Sequence, residues 1–191
     1  MKFIIEHLEK EVYDWCIIEY TNISKIVGKN NLIFTNIKSK KDKEILKNLG
    51  EVKEESVIKL KLKNACLLDP KAPKSLNPTD KFDYFIFGGI LGDYPEQGRT
   101  EKYLTSKLKN IELRNLKEFQ MSTDTAVLTT YKIVKEKTPI EKINFIDKPI
   151  IKLKNGKFQE EIELPYRYIL RNNKAIISKK LITYLKNKED L

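Results

Sequence analysis

Histidine, cysteine and arginine are scarce in this chain. Of its 191 residues, one is histidine (His7) and two are cysteine (Cys16 and Cys66). A single histidine excludes a multi-histidine metal site, and no metal is expected. Two distant cysteines without C-x-x-C spacing fit reduced core thiols better than a disulfide frame or zinc ligands. No apolar run nears the roughly 18 residues of a membrane helix, so no membrane partner is expected. The start, Met1-Lys2-Phe3-Ile4-Ile5-Glu6-His7, meets charge too early for a signal peptide, and a cytoplasmic protein is expected. There is no G-x-S-x-G elbow and no G-K-[ST] phosphate loop, which argues against a serine hydrolase and a P-loop nucleotide enzyme.

Charge of one sign dominates. Lysine and arginine number 37 against 27 acidic residues, a net charge of +10, and only four of the 37 are arginine. Such a surplus favours acidic partners such as RNA or the ribosome. The lysines are spread along the chain, however, so no basic block marks an interface. Hydrophobic residues at 40% and charged residues at 34% describe a globular chain of one-domain size.

The hydrophobic pattern alternates strand and helix. Phe3-Ile4-Ile5 predicts a buried strand. The spacing of Val12, Trp15, Cys16, Ile18, Tyr20, Ile23, Ile26 and Val27 predicts a helix stopped by Gly28. Asn31 to Thr35 reads as a strand and Ser39 to Leu49 as a charged helix. Ala65-Cys66-Leu67-Leu68 is a strand stopped by Asp69-Pro70, and Lys71 to Asp80 is a proline-bearing loop. Phe82 to Phe87 reads as a strand buried on both faces. A helix is expected from Thr100 to Leu108, a short strand at Ile111 to Leu113, and a helix from the Ser122-Thr123-Asp124-Thr125 cap to Lys135. Beyond Pro139 come short strands and turns, then a helix over Lys179 to Lys188. This order predicts an α/β fold with a mainly parallel sheet.

Ligands of such sheets bind at the carboxyl ends of strands. Three of those ends carry unusual residues. The first is Leu67-Leu68-Asp69-Pro70. The second is Gly88-Gly89-Ile90-Leu91-Gly92-Asp93, where glycines permit close backbone approach to a flat ligand; a tight structural turn is the competing reading. The third is Gln120-Met121-Ser122-Thr123-Asp124-Thr125-Ala126, where Asp124 fits a helix cap and the free N–H groups also fit a ligand oxygen. Asp69, Asp93 and Asp124 are the acidic residues of these ends.

In combination, F-D-Y-F-x-F-G-G-I-L-G-D from Phe82 to Asp93, Q-M-[ST]-T-D-T-A from Gln120 to Ala126, Cys66 to Pro70, Arg99-Thr100 and Pro165-Tyr166-Arg167-Tyr168 resemble the SPOUT-superfamily methyltransferases. The resemblance is to the group of fungal protein-arginine methyltransferases of a small-subunit ribosomal protein and their archaeal relatives, and it covers nearly the whole chain. It implies a deep trefoil knot in residues 1–138, with 139–191 as a C-terminal extension packed on the same domain. It implies S-adenosylmethionine held by Leu68, Asp69 and Pro70, by Gly88, Gly89, Ile90, Leu91 and Gly92, and by Leu116, Gln120, Met121, Thr123 and Ala126. A side chain at Gly88 or Gly89 is expected to obstruct the adenine.

The implied acceptor is an arginine of a ribosomal protein. Its guanidinium is protonated at neutral pH, so a carboxylate must orient it and help remove a proton. Asp93 is the first candidate for that role; Glu6 and Glu9 follow. Arg99 is the candidate anchor for the cofactor carboxylate or an acidic substrate. The Tyr94-Pro95-Glu96-Gln97-Gly98 segment departs from the fungal pattern, which puts substrate recognition in question. An RNA methyltransferase acting on rRNA or tRNA is the alternative, and a non-catalytic ribosome- or RNA-binding module a second. Monomer and dimer both stay open.

Overall fold

The computed structural model describes residues 1–89, 98–155 and 158–187. Its main sheet has six strands, β1 (Lys2–His7), β2 (Leu32–Thr35), β3 (Glu51–Val52), β4 (Ala65–Leu68), β5 (Tyr84–Gly89) and β6 (Glu112–Arg114). They lie in the order β3-β2-β1-β5-β4-β6 and every pairing is parallel. The central strands are apolar on both faces because both faces are covered. All four residues of β2 and of β4 are buried. Phe3 and Ile5 of β1 join Phe85 and Phe87 of β5 in one core cluster. Ile4 and Ile86 point the other way, into a second cluster with Val57, Leu67 and Leu104. Alternation of period two places these residues on opposite faces.

Helix α1 (Asp14–Val27) packs on the first face with α3 (Thr123–Val134). Gly28, at φ of +82°, ends α1, a backbone state that side chains disfavour. In α2 (Lys40–Leu46) the Ser39 hydroxyl accepts the Asp42 amide as a helix cap. The helix expected from Thr100 to Leu108 is present: residues 99–100 are α-helical, Glu101–Thr105 widens so that the Ser106 amide bonds the Glu101 carbonyl, and the Leu108 amide bonds the Leu104 carbonyl. Leu104 is its one fully buried side chain.

After Pro139 the pattern becomes antiparallel. Strands β7 (Phe145–Asp147), β10 (Arg167–Arg171) and β11 (Lys174–Ala175) form one small sheet, and β8 (Ile150–Asn155) with β9 (Phe158–Glu163) forms a hairpin. Leu164, Tyr166 and Tyr168 cluster with Leu181 and Leu185 of α4 (Lys179–Asn187) against Ile18 and Trp15 of α1. Ile140, Ile143 and Ile169 join the main core. At about 25 cal/mol per Å², each such fully buried side chain contributes roughly 1.5–3 kcal/mol. No helix among the described residues is long and apolar enough to cross a membrane.

The strand order turns back between β1 and β5. From β1 the chain steps outward to β2 and β3, then places β4, β5 and β6 on the far side of β1. The carboxyl ends of β4 and β5 therefore open side by side near the middle of the sheet, where α/β proteins hold ligands.

Candidate active site

A cleft of about 890 Å³, counting its open mouth, lies at those ends. Leu68, Asp69 and Pro70 line it from the end of β4, and Phe87 and Gly88 from β5. Leu116, Gln120 and Met121 close another side, with Thr123 and Ala126 at the start of α3. Arg99, Thr100 and Tyr166 complete the rim. The three segments singled out from sequence thus meet in one place. Ile90, Leu91, Gly92 and Asp93 lie outside the described residues.

Gly89 belongs to a different arrangement. It is buried and absent from the cleft lining. A Cβ there would stand 2.4 Å from Tyr20 Oη and 2.8 Å from Ile5 Cγ2. The approach of α1 to β5 is by itself enough to require glycine here.

Each polar group near the cleft is held by a partner remote in sequence. Asp69 is 3% exposed; its carboxylate accepts the Lys71 amide at 2.9 Å and the Thr105 hydroxyl. Arg99 donates to Glu9 at 3.1 Å, tying the segment after the glycines to the loop after β1. Glu6 sits on the sheet face away from α1 and α3. Its carboxylate accepts from the Thr35 and Ser56 hydroxyls and the Val57 amide. It does not line the cleft; it pins the loop after β3 to the sheet.

Glu19 of α1 was not singled out from sequence. It is buried and lines the cleft. One carboxylate oxygen accepts Trp15 Nε1 at 2.8 Å, and the other accepts the Thr123 amide at 3.2 Å. Glu19 thereby satisfies the first N–H of α3. Asp124, expected from sequence to cap this helix, is bonded to Ser122 Oγ at 2.7 Å and Asn22 Nδ2 at 2.8 Å and also takes first-turn amides of α3. Burial raises the pKa of both carboxyls, and the Asp124 charge raises that of Glu19 further. The signal for Glu19 was there: Trp15 and Glu19 are one turn apart, and the acid interrupts the apolar stripe between Ile18 and Tyr20.

At the mouth, Phe119 is 54% exposed. The Arg167 guanidinium lies 4.0 Å from the Phe119 ring centroid and forms two hydrogen bonds to Asp147, at 2.6 and 2.9 Å. Those bonds hold Asp147 below the usual carboxylate range. Burial pushes the Cys16 and Cys66 thiols up to about 12, so both stay protonated and inert. Among the described residues no group of three or more His, Cys, Asp or Glu could hold a metal ion.

A sheet of this order with a ligand cleft at the turn-back defines a class, the SPOUT-type methyltransferase fold. Trm10 from Thermococcus kodakaraensis shares it at a TM-score of 0.55 and 15% identity over 73% of this chain and 95% of that one, a likeness of fold alone. The crystal structure of the yeast arginine methyltransferase SFM1 complexed with SAH matches at a TM-score of 0.86 and 37% identity, covering 97% of this chain and 94% of that one. The SAM complex matches at 0.84, also at 37% identity, covering 97% and 89%. The protein arginine N-methyltransferase SFM1 of Saccharomyces cerevisiae is 38% identical over 204 residues, 97% of this chain and 94% of the yeast protein. A family model described as protein arginine N-methyltransferase SFM1-like matches residues 2–191. The chain belongs to that family.

Proposed function

We propose that this chain is an S-adenosylmethionine-dependent methyltransferase that methylates an arginine of a ribosomal protein, with the cofactor in the cleft between β4, β5 and α3. The cleft's own chemistry carries the reading. Leu68, Phe87, Leu116, Met121 and Ala126 offer an apolar lining, and Asp69, Gln120, Thr123 and Arg99 add polar groups at its edges. That mixture fits a ligand with a flat base, a sugar and a charged amino-acid end. When bound, S-adenosylmethionine supplies an electrophilic methyl group on a sulfonium.

The residues then divide the work. Gly88 and the end of β4 shape the walls, while Met121 and Ala126 pack against the ligand. Arg99, oriented by Glu9, is the cation for a ligand or substrate carboxylate. Asp93, at the end of the glycine segment, is the assigned proton acceptor. Reaction at a guanidinium nitrogen requires loss of a proton, so a carboxylate facing the acceptor is needed. The remaining contribution is alignment of the acceptor nitrogen with the methyl group. Ribosomal context is supported by the net charge of +10, which draws the protein toward phosphate-rich surfaces.

The test is transfer of labelled methyl from S-adenosylmethionine to purified ribosomal subunits, followed by nuclease digestion. Label is expected in protein, on arginine, and to survive nuclease. Label recovered only in nucleotides would overturn the proposal.

A further inference from the structure

The geometry points to Glu19, backed by Asp124, as the site that binds the guanidinium of the acceptor arginine. The inference rests on the methyl-transfer reading above and names the group that receives the charged substrate.

Two buried carboxylates lie together beneath the cleft. Glu19 is 6% and Asp124 8% exposed. Their partners, Trp15, the Thr123 amide, Asn22 and Ser122, are all neutral donors. No lysine or arginine among the described residues forms an ion pair with either acid. Glu9 is paired with Arg99 and Asp80 with Arg114, while Glu6 and Asp69 are single buried acids held by neutral donors; Glu19 and Asp124 are a pair. Burying two like charges together is costly unless a cation arrives to share them.

A second observation points to a missing ligand. The Tyr168 hydroxyl is buried, with the residue 2% exposed, and has no hydrogen-bond partner. Burial raises its pKa, the Asp124 and Glu19 charges raise it further, and the Ser122 side chain close by lowers it. A buried hydroxyl without a partner is an uncommon expense in a folded protein, and here it borders the acid pair. Of the two acids, Glu19 reaches the cleft surface. Its oxygens accept from Trp15 Nε1 and from the Thr123 amide and side chain, which leaves a lone pair open to an N–H of a guanidinium. The neutral donors fix the carboxylate in place, and Asp124 behind it adds charge that a cation feels and a neutral isostere does not.

The experiment measures binding of the tripeptide Gly-Arg-Gly and of its citrulline isostere Gly-Cit-Gly, in the presence of S-adenosylhomocysteine, to wild type, Glu19→Gln and Asp124→Asn. The arginine peptide should bind wild type at least tenfold more tightly than the citrulline peptide. Glu19→Gln should abolish that preference while leaving affinity for both S-adenosylmethionine and S-adenosylhomocysteine within twofold of wild type. Intact cofactor affinity also certifies that the variant is folded.

Wild type alone gives a further readout. Calorimetry near pH 7 in buffers of different ionisation enthalpy should show proton release on binding the arginine peptide and none with citrulline. Among the described residues, the titratable groups near Glu19 are Asp124 of α3, Tyr168 of β10, Cys16 and Tyr20 of α1, and Asp69 and Arg99 of the cleft lining. Among these, the acid pair is the one placed to lose a proton to an arriving cation.

Loss of affinity for S-adenosylmethionine but not S-adenosylhomocysteine in Glu19→Gln would assign the pair to the sulfonium and overturn the inference. Equal binding of the arginine and citrulline peptides, with cofactor binding intact, would also overturn it. Wild type that binds neither cofactor form would instead sink the methyl-transfer reading.

Discussion

Substitution of Gly89 by alanine separates a packing role from a cofactor role. The added Cβ would sit 2.4 Å from Tyr20 Oη, 2.8 Å from Ile5 Cγ2 and 3.2 Å from the Glu6 carbonyl oxygen. Tyr20 cannot retreat freely. It is 1% exposed, its ring lies 5.0 Å from that of Phe34, and its hydroxyl is 2.9 Å from His7 Nδ1. Overpacking of this kind costs about 1–3 kcal/mol. Moving the hydroxyl also breaks the His7 bond. His7 Nε2 has no partner already, so the buried ring would lose its remaining side-chain bond, for about 1–3 kcal/mol more. The sum, about 2–6 kcal/mol, corresponds to a melting-point loss of about 4–24 °C at roughly 2–4 °C per kcal/mol for a chain of this size. Thermal unfolding by circular dichroism measures it. In a Tyr20→Phe background the same substitution should cost at least about 1 kcal/mol less, because coupled neighbours are non-additive. Gly89→Ala with unchanged melting and weakened S-adenosylmethionine binding would refute the packing argument and return Gly89 to the cofactor site.

Other consequences are equally direct. Glu6→Ala should destabilise by about 3 kcal/mol by stranding two hydroxyls and an amide, with S-adenosylmethionine affinity unchanged by calorimetry. Trp15→Phe removes one donor from Glu19 and should cost about 1–2 kcal/mol in urea unfolding. The pKa of Glu19 is higher in the folded state than its ordinary value of about 4.3, so the native state holds more protons above that pH. Stability therefore falls as pH rises from there through neutrality, and Glu19→Gln should flatten that slope in melting curves from pH 5 to 8. Arg167→Lys loses the paired bonds to Asp147 and the stack on Phe119, and should cost about 1 kcal/mol by chemical denaturation.

The sheet was readable because its strands are apolar on both faces. Runs such as Ala65–Leu68 and Phe82–Phe87 leave no other assignment, and their abrupt ends in Asp69-Pro70 and Gly88-Gly89 marked where a ligand would sit. What could not be read depends on partners far along the chain. Glu19 meets the Thr123 amide across 104 residues, and Arg99 meets Glu9 across 90. Neither pairing leaves a local pattern. Gly89 has its packing reason in Tyr20, whose approach depends on how α1 lies over the sheet. Glu6, beside the site in sequence, alternates to the wrong face of β1, and the face assignment follows only once the second cluster around Val57 is seen. The helix over Thr100 to Leu108 was readable from its spacing, but its widening at Glu101–Thr105 was not, because that depends on how Leu104 seats in the second cluster.

The most direct measurement is mass spectrometry of ribosomal proteins from cells with and without this gene. A methylated arginine present in the first and absent in the second is the predicted result. Arginine methylation that is identical in both, with a methyl group missing from an rRNA or tRNA nucleotide, would contradict it.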